Sequence, residues 1–102
     1  MIFEFSSPRR YNVFVGHMIT AIKKLINQEV GDLDFAVQPA ESLGHGHFAT
    51  NAAFLLAKKE KKDPLEIARG LARSITKRAP RGFFSKVEAA APGFVNFWVS
   101  PA

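Results

Sequence analysis

Apolar side chains recur at three- and four-residue spacing from Phe14 through Met18, Ala21, Ile22, Leu25 and Ile26. That period places them on one stripe of a helix, with charged and amide side chains opposite. Asn12 is a suitable cap, so the pattern predicts a helix over about 13–28. Ser6, Ser7 and Pro8 predict an extended lead of ten residues before it. Gly31 and Asp32 turn the chain out of this helix. The period then falls to two: Leu33, Phe35 and Val37 alternate with polar or small residues, which predicts a strand ended by Pro39. A short strand is expected over 47–49, and Thr50 or Asn51 is placed to cap a helix over 52–59 rich in alanine and leucine. Lys58, Lys59, Lys61 and Lys62 follow at its C-terminal end, where the helix dipole favours cations. Asp63, Pro64 and Glu66 mark another helix start, with acid cap, proline at the first position and returning glutamate. Leu65, Ala68, Leu71, Ala72 and Ile75 form its apolar face, to about Lys77. Residues 84–90 and 94–99 read as strands joined at Pro92-Gly93, close enough to pair as a hairpin. In the second of them Val95, Phe97 and Val99 share one face, and Phe94, Asn96 and Trp98 the other. This order of elements predicts an α+β fold: a two-layer sandwich of a small, mainly antiparallel sheet with helices packed on one face.

Size and charge narrow the function classes. The 102 residues make one domain, 1–102, with one modest core, and 47% hydrophobic residues is the composition of a folded globule. No apolar run approaches the ~20 residues of a membrane span. The N-terminus has an acid within its apolar part and arginines after it, the wrong order for a secretory signal. The absence of cysteine excludes disulfides, thiolate zinc sites and cysteine nucleophiles, and is compatible with a cytoplasmic protein. The net charge of +5 suits a polyanionic partner such as tRNA, or serves solubility alone.

The candidate chemistry centres on residues 43–56, where His45 and His47 flank a glycine. On an extended strand the two imidazoles point the same way, as metal ligands do. Only His17 remains as a further histidine, and no carboxylate spacing completes a ligand set, so no metal is expected. The spacing also departs from the His-x-Gly-His motif of class I synthetases, which has two residues between its histidines. It is not a phosphate-binding glycine loop either. Phe48 with Thr50, Asn51 and the histidines offers a ring and hydrogen-bonding groups for a looped RNA base. Taken alone, the residues favour Phe48 as core and Thr50 and Asn51 as caps. Arg69, Arg73 and Lys77 fall four apart on one helix face, opposite Ala68, Leu71 and Ile75. Residues 58–81 carry nine basic and three acidic side chains. Such a stripe suits phosphates or simply solvent. Phe94 and Trp98 are either a stacking platform around Asn96 or, as is favoured here, packing against helices. No nucleophile triad or paired carboxylates are found, so no catalytic residue is expected.

Three motifs in order resemble the N-terminal additional domain of arginyl-tRNA synthetase. The first is His45, Gly46, Phe48, Ala49, Thr50 and Asn51, followed by Ala57, Lys58 and Lys59. The second is Asp63, Pro64, Glu66, Ile67 and Ala68, and the third Val87, Glu88, Ala90, Pro92, Gly93, Phe94, Val95, Asn96 and Phe97. Together they cover residues 43–100. The resemblance implies an α+β domain that packs beside a catalytic core and contacts the D-loop corner of tRNA for arginine. It implies contacts at His45, His47, Phe48, Thr50 and Asn51; the charge pattern adds Lys61, Lys62, Arg69, Arg73 and Lys77 as the groups expected to hold phosphates. The closing Pro-Gly-Phe-Val-Asn-Phe is expected to be structural. His47 departs from the family's usual aspartate. The segment lacks the nucleotide-binding and anticodon-binding domains, so it is expected to perform no chemistry and to bind no cofactor. ATP would be used by the parent enzyme's catalytic domain. A small protein-interaction module with generic basic charge is the alternative.

Overall fold

The computed structural model describes residues 8–40 and 46–100, with side chains from Val13 onward in those segments. Helix α1 spans Pro8–Val30, five residues earlier than Asn12 as cap predicts. Proline has its φ preset for a helix, and the N–H it lacks would have no partner in the first turn, so Pro8 opens the helix instead of blocking it. The expected extended conformation of residues 1–7 lies outside the described residues. Gly31, at φ +70°, ends the helix and donates its N–H to Asn27 O (2.9 Å).

Strand β1 is only Val37–Pro39, shorter and later than the alternation from Leu33 predicts. Over 33–36 the backbone bonds locally, Leu33 N–H to Gly31 O and Phe35 N–H to Leu33 O. Side chains then claim both polar groups of Ala36. The Asn51 carboxamide oxygen accepts from Ala36 N–H (2.9 Å), and the Thr50 hydroxyl donates to Ala36 O (2.7 Å). Ladder pairing therefore starts at Val37, and β1 is an edge strand, where Pro39 is tolerated.

Next come β2 (Phe48–Thr50), α2 (Ala52–Glu60), α3 (Pro64–Arg78), β3 (Phe84–Ala90) and β4 (Phe94–Val99). The four strands form one antiparallel sheet in the order β1-β2-β4-β3. The helices cover one face, as the α+β reading expects. Val37, Thr50, Val95 and Ala89 lie in register across that face, beside Phe48, Phe97 and Val87. They pack on Ile22 and Ile26 of α1, Ala52 and Ala53 of α2, and Ala68, Leu71 and Ile75 of α3. Asp63 caps α3 with its side chain on Leu65 N–H (3.3 Å), as its sequence position predicts.

Arg78, one of the nine basic residues over 58–81, faces α1. Its guanidinium donates to Glu29 Oε2 (2.6 Å) and Leu25 O (2.7 Å), and also to Gln28 Oε1. The Ser74 hydroxyl donates to the same Glu29 oxygen (2.6 Å). The Ser74 hydrogen bond first, and Arg78 with it, outweigh desolvation and hold the Glu29 carboxyl below its ordinary 4.5. The unfolded chain therefore takes up this proton first as pH falls. The clamp's stability is present above about pH 4.5 and is lost as pH drops through the lower folded value. Water reaches 27% of the Glu29 side chain, so Glu29→Gln is expected to cost only about 1 kcal/mol at pH 7. It should also flatten the acid limb of a urea-denaturation pH series.

Candidate nucleic-acid interface

Among the described residues, no helix packs on the other face of the sheet. Gln38, Ala49, Asn96 and Glu88 lie side by side across its four strands. Phe94 opposes Ala90 on one side of this row, and Trp98 opposes Lys86 on the other. A cleft of about 460 Å³ opens along it toward β1. Ala36, Ala40, Ala49, Ala90 and Ala91 line it, and their small side chains leave the concavity. Phe94 stands at the cleft and remains 38% exposed, the kind of free aromatic surface on which a base stacks.

The polar side chains of the cleft are uncharged. Among the described residues they are the carboxamides of Gln38, Asn51 and Asn96; Thr50 also borders the cleft, but its side chain is buried on the helix-covered side. Thr50 is fully engaged, donating to Ala36 O and accepting from Ala52 N–H (3.2 Å). The Asn96 carboxamide meets no hydrogen-bond partner among the described residues. Although the residue is only 7% exposed, neither polar atom is sealed from solvent without a partner. An amide held at the floor of an apolar cleft with its hydrogen-bonding capacity unspent suits a flat, neutral, hydrogen-bonding ligand. A phosphate would demand cations in the lining, and none is there among the described residues.

Trp98 differs from Phe94 although both lie on this face. The Lys86 ammonium sits 4.6 Å from the indole centroid. On the Gly46 side, a Cβ would come within 3.2 Å of the indole Cδ2 and 2.7 Å of Phe97 O. The indole is thus engaged by Lys86 and abutted by the Gly46 backbone. Packing of both aromatics against the helices, as favoured from the sequence, is corrected for each: they lie on the opposite face.

The remaining expected site residues fall in three places. His45 lies outside the described residues. His47 is exposed, and its Nδ1 accepts from Val99 N–H (2.8 Å), which leaves the ring proton of that neutral imidazole on Nε2. An aspartate carboxylate at this position would offer the same backbone group an acceptor. Phe48 and Thr50, expected as contacts, are buried at 3% and 1% exposure, and Phe48 is part of the core. The cause is strand parity: both side chains point to the helix-covered face. Asn51 lines the cleft, but it does not cap α2 with its side chain; Thr50 does that.

The third place is the helical layer. Arg69, Arg73 and Lys77 are exposed on the side of α3 turned away from its buried Ala68, Leu71 and Ile75, and hence from the sheet. Arg69 is paired with Glu66 at 3.1 Å. Lys61 and Lys62 are exposed between α2 and α3. The stripe and the cleft therefore occupy opposite sides of the sandwich. Lys86 is a cation on the cleft's own face, and it too was absent from the sequence reading, like Gln38. The signal for Phe94 and Asn96 was present: they alternate with the core residues Val95 and Phe97.

The described residues thus form an α+β domain with helices on one face of its sheet and an amide-lined cleft on the other. The chain belongs to the family described as the arginyl tRNA synthetase N terminal domain, whose sequence model matches residues 16–99. It is 46% identical over 63 residues to the arginine–tRNA ligase of Wolbachia pipientis subsp. Culex pipiens, covering 62% of this chain and 11% of that protein. It is 36% identical over 91 residues to the enzyme of Azorhizobium caulinodans, covering 84% of this chain and 15% of that protein. The chain thus spans a small part of the curated relatives it matches. The crystal structure of arginyl-tRNA synthetase from Plasmodium falciparum shares the fold, with TM-score 0.62 and 18% identity over 85% of this chain and 16% of that one. No helix among the described residues is long and apolar enough to cross a membrane.

Proposed function

We propose that this chain is a tRNA-contacting accessory domain of a cytoplasmic arginine–tRNA ligase, and that its helix-free sheet face receives one looped-out nucleotide of the tRNA D-loop. The whole enzyme would join arginine to its tRNA with ATP, and this segment would position the tRNA beside the catalytic core. The observation that carries the reading is the cleft: an exposed Phe94 beside an Asn96 carboxamide that has no partner among the described residues, on a floor of alanines. Phe94 stacks on the base and Asn96 bonds its edge, which is how sheet-based proteins read unpaired RNA. Lys86 lies on the same face to meet the flanking phosphate. The stripe of Arg69, Arg73 and Lys77, with Lys61 and Lys62, faces elsewhere and adds long-range attraction.

This division of labour has a measurable consequence. Charge contributes affinity without sequence preference and weakens steeply with salt. The neutral cleft contributes discrimination and is insensitive to salt. Binding of the full-length protein to arginine tRNA should therefore fall between low and moderate salt, while the ratio of its affinities for intact and D-loop-altered tRNA stays nearly constant. Equal affinity for the two tRNAs at every salt concentration would reject the reading.

A further inference from the structure

Three carboxamides line the cleft, and the fold decides the orientation of one of them. Asn51 stands between β2 and α2 and accepts the Ala36 N–H (2.9 Å). A backbone N–H can only donate, so the atom facing it must be the carboxamide oxygen. The other end of the side chain is then the amino group, which meets no partner among the described residues, in a residue that is half-buried and lines the cleft. Gln38 is exposed on an edge strand, and Asn96 has no partner to set its orientation, so either can turn to offer oxygen or nitrogen. Asn51 cannot turn without leaving Ala36 N–H unpaired. The neighbouring Thr50 hydroxyl is already committed to Ala36 O and Ala52 N–H.

We infer that Asn51 is a specificity-determining residue: its amino group is a fixed hydrogen-bond donor, and the cleft accordingly selects a base edge that presents an acceptor there, a carbonyl oxygen or a ring-nitrogen lone pair. The inference rests on the proposed base-binding role of the cleft. One residue thereby joins two tasks, since the oxygen that shapes the approach to β1 also fixes the polarity of the reading edge. A base offering only an amino group at that point would set donor against donor, and a buried mismatched donor costs the full hydrogen bond.

The test is Asn51→Asp in the full-length protein. The carboxylate still accepts Ala36 N–H, and an anion is favoured at the start of α2. Only the donor is lost, and an unchanged thermal midpoint would verify that the fold is kept. Binding is measured to native arginine tRNA and to tRNAs with a single abasic D-loop position, for wild type, Asn51→Asp and Phe94→Ala. The expected result is a loss on the order of tenfold for Asn51→Asp on native tRNA, and no such loss on the tRNA abasic at the position to which Phe94 is coupled. Charge repulsion from the new carboxylate would act on both tRNAs alike, and the native-to-abasic ratio is independent of the fraction folded. An unchanged ratio for Asn51→Asp, with Phe94→Ala still coupled to one position, would overturn the inference and leave the cleft as the base site. Absence of coupling for both variants would overturn the base-binding role itself, and the inference with it.

Discussion

Phe48→Ala is expected to cost about 3–5 kcal/mol of folding stability, the range for removing a buried aromatic ring from a packed core. Phe48 is 3% exposed, it pairs with Phe97 on the helix-covered side of the sheet, and it packs within the core cluster. A domain of this size is stable by only about 5–15 kcal/mol, so the variant stands to lose a large part of its margin. Urea denaturation monitored by circular dichroism would read the loss directly. Any reduction in tRNA affinity should then follow the folded fraction and recover in conditions that restore folding. A Phe48→Ala protein of wild-type stability but poor tRNA affinity would show that the ring stacks on RNA and that the core assignment is mistaken.

Phe94→Ala should behave in the opposite way. Its ring is 38% exposed on the helix-free face, so its removal creates no enclosed cavity and should change stability little. Stacking of a base on an aromatic ring is worth about 1–3 kcal/mol, so tRNA affinity should fall roughly 5- to 150-fold. The loss should be confined to tRNA with its D-loop base intact. Filter binding with the native and D-loop-altered tRNAs, beside a thermal melt, separates the two contributions. Wild-type affinity in the Phe94→Ala protein would remove the stacking surface from the proposed site. The two phenylalanines thus form a paired test: one of the fold, the other of the proposed base site.

Much of this architecture was legible in the sequence. The period of α3 and its Asp63-Pro64 start located that helix, and the bounds of β3 and β4 were read as they stand in the structure. The split of β4 into Val95 and Phe97 against Phe94, Asn96 and Trp98 was read correctly as well. The errors arose where local pattern met a distant partner. The alternation from Leu33 satisfied a strand template, yet Ala36 is held by Thr50 and Asn51, fourteen and fifteen residues away in the chain. Phe48 was favoured as core by its own surroundings and made a tRNA contact only by the family resemblance; strand parity turns it inward, as the residues alone had suggested. Arg78 was one of nine basic residues over 58–81 until α1 brought Glu29 to it.

Taken by itself, the sequence determined the family, through three ordered motifs, and the type of most elements, through their hydrophobic periods. Periodicity also reports which residues of a strand share a side. It cannot report which of the two sides a helix will cover, because both sides of β4 are rich in aromatic and apolar groups. That choice is made by long-range packing: all three helices pack on the Val95 and Phe97 side. Tertiary structure alone therefore decided that Phe94 and Asn96 face an open cleft, that the basic stripe lies on the other side of the sandwich, and that the Asn51 amide is locked in one orientation by a backbone group it meets only in the folded chain.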